Sequence, residues 1–385
     1  MYLDHAATTP MRIEALAAMV EELSRVGNPS SLHASGRGAR RVVEESRELI
    51  AAALGVPAGD VLFTSGGTEA DNLAVKGVYR ARRGQDPRRT RVLATAIEHH
   101  AVLDPVGWLG DSEGADVRWL PVDGLGRLDV ISLESELAQA PDEVALVSVM
   151  WANNEVGTIQ PIAEVAALCD RYGVPLHTDA VQAVGQIPVD ASIVDSLALS
   201  GHKVGGPHGV GALIARRGLD IAPLMHGGGQ ERDVRSGTLD APAIVGLASA
   251  IASSMADMDV RTRRVAELRD QLVSGVMTSI EGVTRNGDPL RALPGIAHLS
   301  FDGCEGDALL LLLDAAGIEC SRGSACSAGV PQPSHVLLAM GVEPLAARSA
   351  LRFSLGHSSA AYEVASLLEK LPAVVARARR AGVPR

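Results

Sequence analysis

Through the first two-thirds of the chain, strand-length apolar runs alternate with helix-patterned stretches, and the runs end in polar or glycine-rich clusters. Residues 60–64 lead into Ser65-Gly-Gly-Thr-Glu69, and residues 92–95 end at Ile97-Glu-His-His-Ala101. Residues 145–150 end at Trp151-Ala-Asn-Asn-Glu155, and residues 174–177 at Thr178-Asp-Ala-Val-Gln182. Residues 195–199 deliver Ser200-Gly-His-Lys203, and residues 209–215 read as a hairpin return. Repeated strand–helix units fold into a mostly parallel sheet with helices on both faces. Ligands of such sheets gather at the carboxyl ends of the strands. The expected fold class is therefore α/β, with the polar clusters on one edge forming one active site.

The flanking segments have a different texture. Residues 2–10 form an extended lead-in, and Ile13, Leu16, Ala17, Val20 and Leu23 make a helical stripe. A second helix is expected over 35–54, closed by Gly55. Residues 225–238 are a polar, glycine-rich loop, followed by a long helix over 241–280 with a break near Met258. Beyond it lie a strand at 297–301, a helix at 306–316, a small-residue loop at 321–333 expected to be mobile, a strand at 352–354 and a last helix at 361–381. These predict a smaller α+β domain beside the large parallel-sheet one.

Bulk properties exclude several classes of function. A net charge of −11 argues against direct nucleic-acid binding, which needs a basic face. No apolar run approaches the roughly 20 residues of a membrane span; the run 308–313 stops at Asp314. The start, Met1-Tyr-Leu-Asp-His5, lacks the pattern of a secretory signal. Cys169, Cys304, Cys320 and Cys326 show no Cys-x-x-Cys spacing, so free thiols in a reducing cytoplasm are expected rather than structural metal.

Only Lys76, Lys203 and Lys370 are lysines among 35 basic residues. Lysine, unlike arginine, can lose its proton and attack a carbonyl. Lys203 at the end of a buried strand is thus a candidate Schiff-base residue. Asp179 ends another strand, where a lone carboxylate is costly unless a cation such as a pyridinium faces it. Thr68 stands at a glycine-rich helix start, which favours a phosphate. Singly these features read as a surface lysine, a helix cap and a tight turn. Together they match the aldehyde, pyridinium and phosphate of pyridoxal 5'-phosphate.

Ordered motifs run nearly end to end: Y-L-D-H-A-A-T-T-P at 2–10, N-P-S-S-L-H at 28–33, F-T-S-G-G-T-E at 63–69 and E-H-H-A-V-L at 98–103. They continue with N-N-E-V-G-T-I-Q-P at 153–161, S-G-H-K at 200–203, G-G-G-Q-E-R at 227–232, R-S-G-T at 235–238, G-S-A-C at 323–326 and R-F-S at 352–354. In these the chain resembles the cysteine desulfurases of the class V aminotransferase family, and the G-S-A-C loop resembles the iron–sulfur-cluster-assembly branch. The resemblance implies the fold type I architecture of pyridoxal-phosphate transferases. The expected division is a large cofactor-binding domain over 12–250 and a smaller domain from 1–11 and 251–385 that carries the cysteine loop.

By the same resemblance, Lys203 binds the cofactor covalently, Asp179 pairs with its ring nitrogen, Gln182 contacts its phenolic oxygen and His99 stacks on the ring. Gly67, Thr68, Ser200 and His202 hold the phosphate, with Thr238 reaching across from the second subunit of a homodimer. Asn154 and Arg352 face cofactor and substrate carboxylate. His100 and His357 depart from the lysine and arginine usual at their positions. The implied reaction converts L-cysteine to L-alanine. Cys326 attacks the substrate sulfur as thiolate and carries it as a persulfide to an acceptor protein, an iron–sulfur scaffold or a tRNA-thiolation enzyme. No metal site is expected, although Cys326 is a conceivable transient cluster ligand. Arg322 and His99 are the groups expected to favour the thiolate. Cys320 is the runner-up nucleophile, and Cys169 and Cys304 read as inert buried thiols. Rivals are an aminotransferase or a selenocysteine lyase of the same fold, and a sulfur- or cluster-binding scaffold without turnover. His226-Gly-Gly-Gly imitates a hydrolase motif, but no G-x-S-x-G, Walker lysine or H-E-x-x-H accompanies it.

Overall fold

The structure, a computed structural model, describes residues 1–323 and 333–382. Seven strands form one sheet: β1 (Val61–Thr64), β2 (Arg91–Thr95), β3 (Asp116–Leu120), β4 (Val144–Ser148), β5 (Leu176–Asp179), β6 (Ser196–Ser200) and β7 (Gly211–Ala215). Their order is β1-β7-β6-β5-β4-β2-β3. Strands β2 to β6 run parallel, and β7 returns antiparallel beside both β6 and β1. The carboxyl ends of β1, β2, β4, β5 and β6 therefore share one edge.

Every residue of β1, β4, β5, β6 and β7 is buried, as expected for a sheet covered on both faces. Successive side chains serve opposite cores. Leu62 packs with Leu73, Ala74 and Val78 of the helix Gly67–Gln85, whereas Phe63 joins Ile50, Leu54 and Ile244 on the other face. Fully burying a Leu, Val or Phe side chain of this kind stabilises the fold by roughly 1.5–3 kcal/mol. Strand β5 extends to Asp179, two residues past the predicted run, while Pro175, which has no N–H for the ladder, stays outside it. Edge strand β3 exposes Arg118 and Trp119, so it lacks the continuous apolar signal that marked the inner strands.

The stripe of Ile13, Leu16, Val20 and Leu23 is on a helix, Ile13–Leu23, but it faces solvent. Ala15 forms the buried side of that helix, next to the helix Ala241–Ala256. The predicted long helix is two: Ala241–Ala256 and Met258–Ser279 meet at 74°. Asp257 at the junction is held by Arg12 (3.1 Å) and Arg261 (2.9 Å).

A second, three-stranded antiparallel sheet has the order β10-β9-β8, from Ala350–Ser354, Ile296–Phe301 and Val283–Asn286 respectively. Its own core joins Leu299, Phe301, Leu351 and Phe353 to Leu272 and Val276 of the helix Met258–Ser279, to Leu367 and Leu371 of the helix Ala361–Gly382, and to Leu3. The N-terminal segment pairs along β10 through a bridge from Asp4 to Ser354. It then runs on between the two sheets toward the strand ends.

Candidate active site

The strand ends enclose a cavity of about 550 Å³ lined by Gly67, Thr68, His99, Asn154, Asp179, Gln182, Ser200, His202, Lys203 and Arg352. Thus every predicted site residue except Thr238 and Cys326 lines one space. Thr238 is exposed and does not line this cavity. Cys326 lies outside the described residues.

Local geometry explains how each group arrives. Strand β6 ends at Ser200 and passes into a single helical turn, Gly201–Val204, stopped by Gly205 at φ 85°. That turn points Lys203 into the cavity, where its Nζ donates to the carbonyls of Ala6 (2.6 Å) and Ala7 (2.8 Å). Burial and then the charge of Arg352 lower its pKa to about 8. A neutral amine is therefore within reach near physiological pH. Beside it, a Cβ on Gly211 would lie 2.7 Å from the backbone of Gly66, so only glycine lets β7 and the Ser65–Gly67 turn approach this closely. The helix that follows, Gly67–Gln85, begins without a side-chain cap, which leaves N–H groups directed at the cavity.

Asp179, the last residue of β5, accepts from the Val181 N–H at 2.8 Å. Burial raises its pKa to about 6, offset by that hydrogen bond and by Lys203. Two further buried acids stand near it. Asp71 accepts from or donates to His177 Nε2 at 3.1 Å, and His177 Nδ1 meets Ser196 at 3.0 Å. Glu98 accepts from Thr95 (2.6 Å) and the Met150 N–H (2.8 Å). Burial pushes Glu98 up to about 8 and raises Asp71, with Asp179 adding to both. Asp179 stays below Glu98, and the pocket favours a cation opposite it.

His99 caps the helix His100–Glu113 by accepting from the Ala101 N–H at 3.1 Å. Burial and then Lys203 lower its pKa to about 4, so its ring is neutral at pH 7. Asn153, fully buried, accepts from the N–H groups of Glu155 and Val156, both at 2.9 Å, and so shapes the turn that presents Asn154. Gln182 donates to the Ala6 carbonyl at 2.9 Å. Arg352 donates to the Asn154 carbonyl (2.8 Å) and to Asp4 (2.7 Å).

Of the two groups expected to favour the Cys326 thiolate, Arg322 pairs with Asp307 at 2.8 Å, and His99 lines the cavity as a neutral, polar ring. Residue patterning missed Asp4, Asp71, Glu98 and the carbonyls of Ala6 and Ala7. Asp71 sits one helical turn beyond Gly67, a spacing that puts it on the cavity side; the carbonyls have no sequence signal at all.

Pyridoxal phosphate fits these residues. A buried carboxylate faces a lysine with a lowered pKa, a helix N-terminus is uncapped, and the buried Nδ1 of His202 has no hydrogen-bond partner among the described residues. Asp179 would face the ring nitrogen, Lys203 the aldehyde, and the Gly67–Thr68 turn with Ser200 and His202 the phosphate.

Comparison with known proteins agrees with this geometry. The aminotransferase class-V family profile matches residues 1–367. An IscS-like cysteine desulfurase of Mycobacterium tuberculosis is 57% identical over 99% of this chain and 98% of that protein. A cysteine desulfurase IscS of Methanosarcina thermophila is 41% identical over 98% and 93%. The solved structure of a NifS-like protein superposes with a TM-score of 0.90 at 36% identity, covering 98% of this chain and 99% of that one. The sheet order and these likenesses together give the fold type I architecture, and the chain belongs to the class V aminotransferase family, on its cysteine desulfurase branch.

Proposed function

We propose that this enzyme uses pyridoxal 5'-phosphate to convert L-cysteine to L-alanine, leaving the sulfur as a persulfide on Cys326. The observation that carries the reading is the convergence of Lys203, Asp179 and the uncapped helix start at Gly67 on one cavity. When bound, the cofactor supplies an electron sink for the bond changes at the amino acid. The residues of the chain do the rest. Asp179 keeps a ring nitrogen protonated, and Lys203, with its pKa near 8, exchanges a proton at the substrate Cα. Arg352 would orient the substrate carboxylate, and His99, a neutral ring on the cavity wall, would flank the cofactor. Cys326 then attacks the substrate sulfur as thiolate: the new S–S bond forms as the substrate Cβ–S bond breaks, the bonding pair stays on Cβ, and a proton equal to the one lost by the thiol completes the methyl group of alanine.

The persulfide passes to an acceptor protein of the iron–sulfur scaffold or tRNA-thiolation kind, in the cytoplasm, where thiols stay reduced. We further propose a homodimer in which Thr238 completes the partner's phosphate site. The exposed position of Thr238 and the solvent-facing stripe from Ile13 to Leu23 support it. The division into a domain of 12–250 and one of 1–11 with 251–385 belongs to the same proposal. Replacing Cys326→Ala tests the reading. The variant should keep the visible absorbance of bound cofactor and lose sulfide release from cysteine; normal turnover would refute the nucleophile.

A further inference from the structure

A buried guanidinium without an anion is costly. The side chain of Arg352 is only 4% exposed, and its ion-pair partner is Asp4, 2.7 Å away and 20% exposed. The two groups differ in freedom. Arg352 is embedded in β10, with the Asn154 carbonyl fixing Nη1 at 2.8 Å. Asp4 has a backbone held by β10, with Ser354 donating to the Leu3 carbonyl (2.7 Å) and His5 donating to the Ser354 carbonyl (3.2 Å). Only its side chain can swing, and that side chain has a path to water.

Arg352 also has an unused donor: its Nε is buried and, among the described residues, has no partner. The same N-terminal segment holds the other pole of the site, since Ala6 and Ala7 take the ammonium of Lys203. An α-amino acid entering the cavity brings a second carboxylate to a guanidinium that already has one. Two carboxylates on one buried cation repel each other.

We propose that Asp4 is a resident carboxylate that occupies Arg352 in the free site and yields it to the carboxylate of the incoming substrate. The idea rests on the reading of Arg352 as the substrate-carboxylate residue. It makes Asp4 a positioning residue: Arg352 stays paired and correctly oriented between turnovers, and carboxylates too weak to displace Asp4 are kept out.

Propionate, a carboxylate without amine or thiol, is the probe, titrated calorimetrically into holoenzyme. Asp4→Asn should bind it about tenfold more tightly than wild type, the scale of one hydrogen bond to a charged group. KM for cysteine should fall with kcat changed less, and Asp4→Glu should restore weak propionate binding. Asp4→Ser serves in the same titration if Asp4→Asn does not fold. Equal propionate affinities in wild type and the neutral variant would overturn the proposal, because a merely structural ion pair lowers thermal stability without touching affinity. Propionate binding is independent of desulfuration. Tightened binding in a protein that releases no sulfide would therefore refute the cysteine reading and leave the exchange standing.

Discussion

The Nζ of Lys203 lies 2.6 Å from the carbonyl oxygen of Ala6, a contact between residues 197 positions apart. It ties the start of the chain to the end of β6 and leaves the lysine in a site that favours its neutral form. Burial is the main cause, Arg352 adds to it, and Asp179 and Asp4 work against it, for a net pKa of about 8 instead of 10.5. Below that value the amine is protonated and cannot attack an aldehyde; above it the amine is free. Uptake of pyridoxal phosphate by cofactor-stripped protein should therefore speed up as pH rises to about 8 and level off above it. Stopped-flow visible absorbance reads this directly. A rate still climbing toward the ordinary lysine value would show that the amine is not perturbed, and Lys203→Arg should give no covalent uptake at any pH.

Glu231 fastens the glycine-rich loop of residues 225–238 to the sheet. Its carboxylate takes Arg47 at 2.7 and 2.9 Å and the Phe63 N–H at 2.8 Å, in a site where Glu231 is fully buried. Glu231→Ala removes the bidentate partner of a mostly buried guanidinium, which keeps only the part-exposed Glu44 at 3.1 Å, and the expected loss of stability is about 3 kcal/mol, the lower end for breaking a buried pair. The double change Arg47→Met with Glu231→Leu should cost far less, since no charge is stranded. Denaturant unfolding of the three proteins compares the two losses.

Inner strands were legible because burial on both faces forces continuous apolar runs, and the strand-end clusters followed from them. Edge strand β3 was not, because half of it faces water and carries Arg118 and Trp119. The break near Met258 was visible in the sequence; the 74° turn, set by Arg12 and Arg261 on Asp257, was not. Motif residues such as Lys203 and Asp179 announced themselves through charge in apolar surroundings. The partners that tune them did not. Asp71 and Glu98 stand beside predicted residues, yet their burial against Asp179 emerges only from the folded sheet; the Ala6 carbonyl comes from a distant segment, and backbone acceptors leave no trace in residue identity.

Cys320 was the alternative nucleophile, and its surroundings argue against it. Burial, with Asp4 adding to it, pushes its thiol up to about 12, far from the range of a reactive thiolate. It packs against the core of the three-stranded sheet. Cys320→Ala should keep sulfide release from cysteine at nearly the wild-type rate, and iodoacetamide should label this thiol slowly in the native protein. Loss of persulfide formation in that variant would return Cys320 to the reaction.

The helix Ile13–Leu23 turns its apolar side outward. Ile13, Leu16, Val20 and Leu23 are 70, 44, 56 and 61% exposed, at the spacing that normally faces a core. Leaving such a stripe in water forgoes roughly 1.5–3 kcal/mol for each large side chain that a partner surface would cover. A second copy of the chain is the occupant that the proposed exchange of Thr238 requires. Leu16→Glu combined with Val20→Glu should shift the protein to a monomer in sedimentation equilibrium, because two carboxylates would have to be buried unpaired. Cofactor affinity should drop with it, since the phosphate site would lose its partner hydroxyl. A variant that sediments as a dimer with unchanged affinity would place the subunit contact on another face.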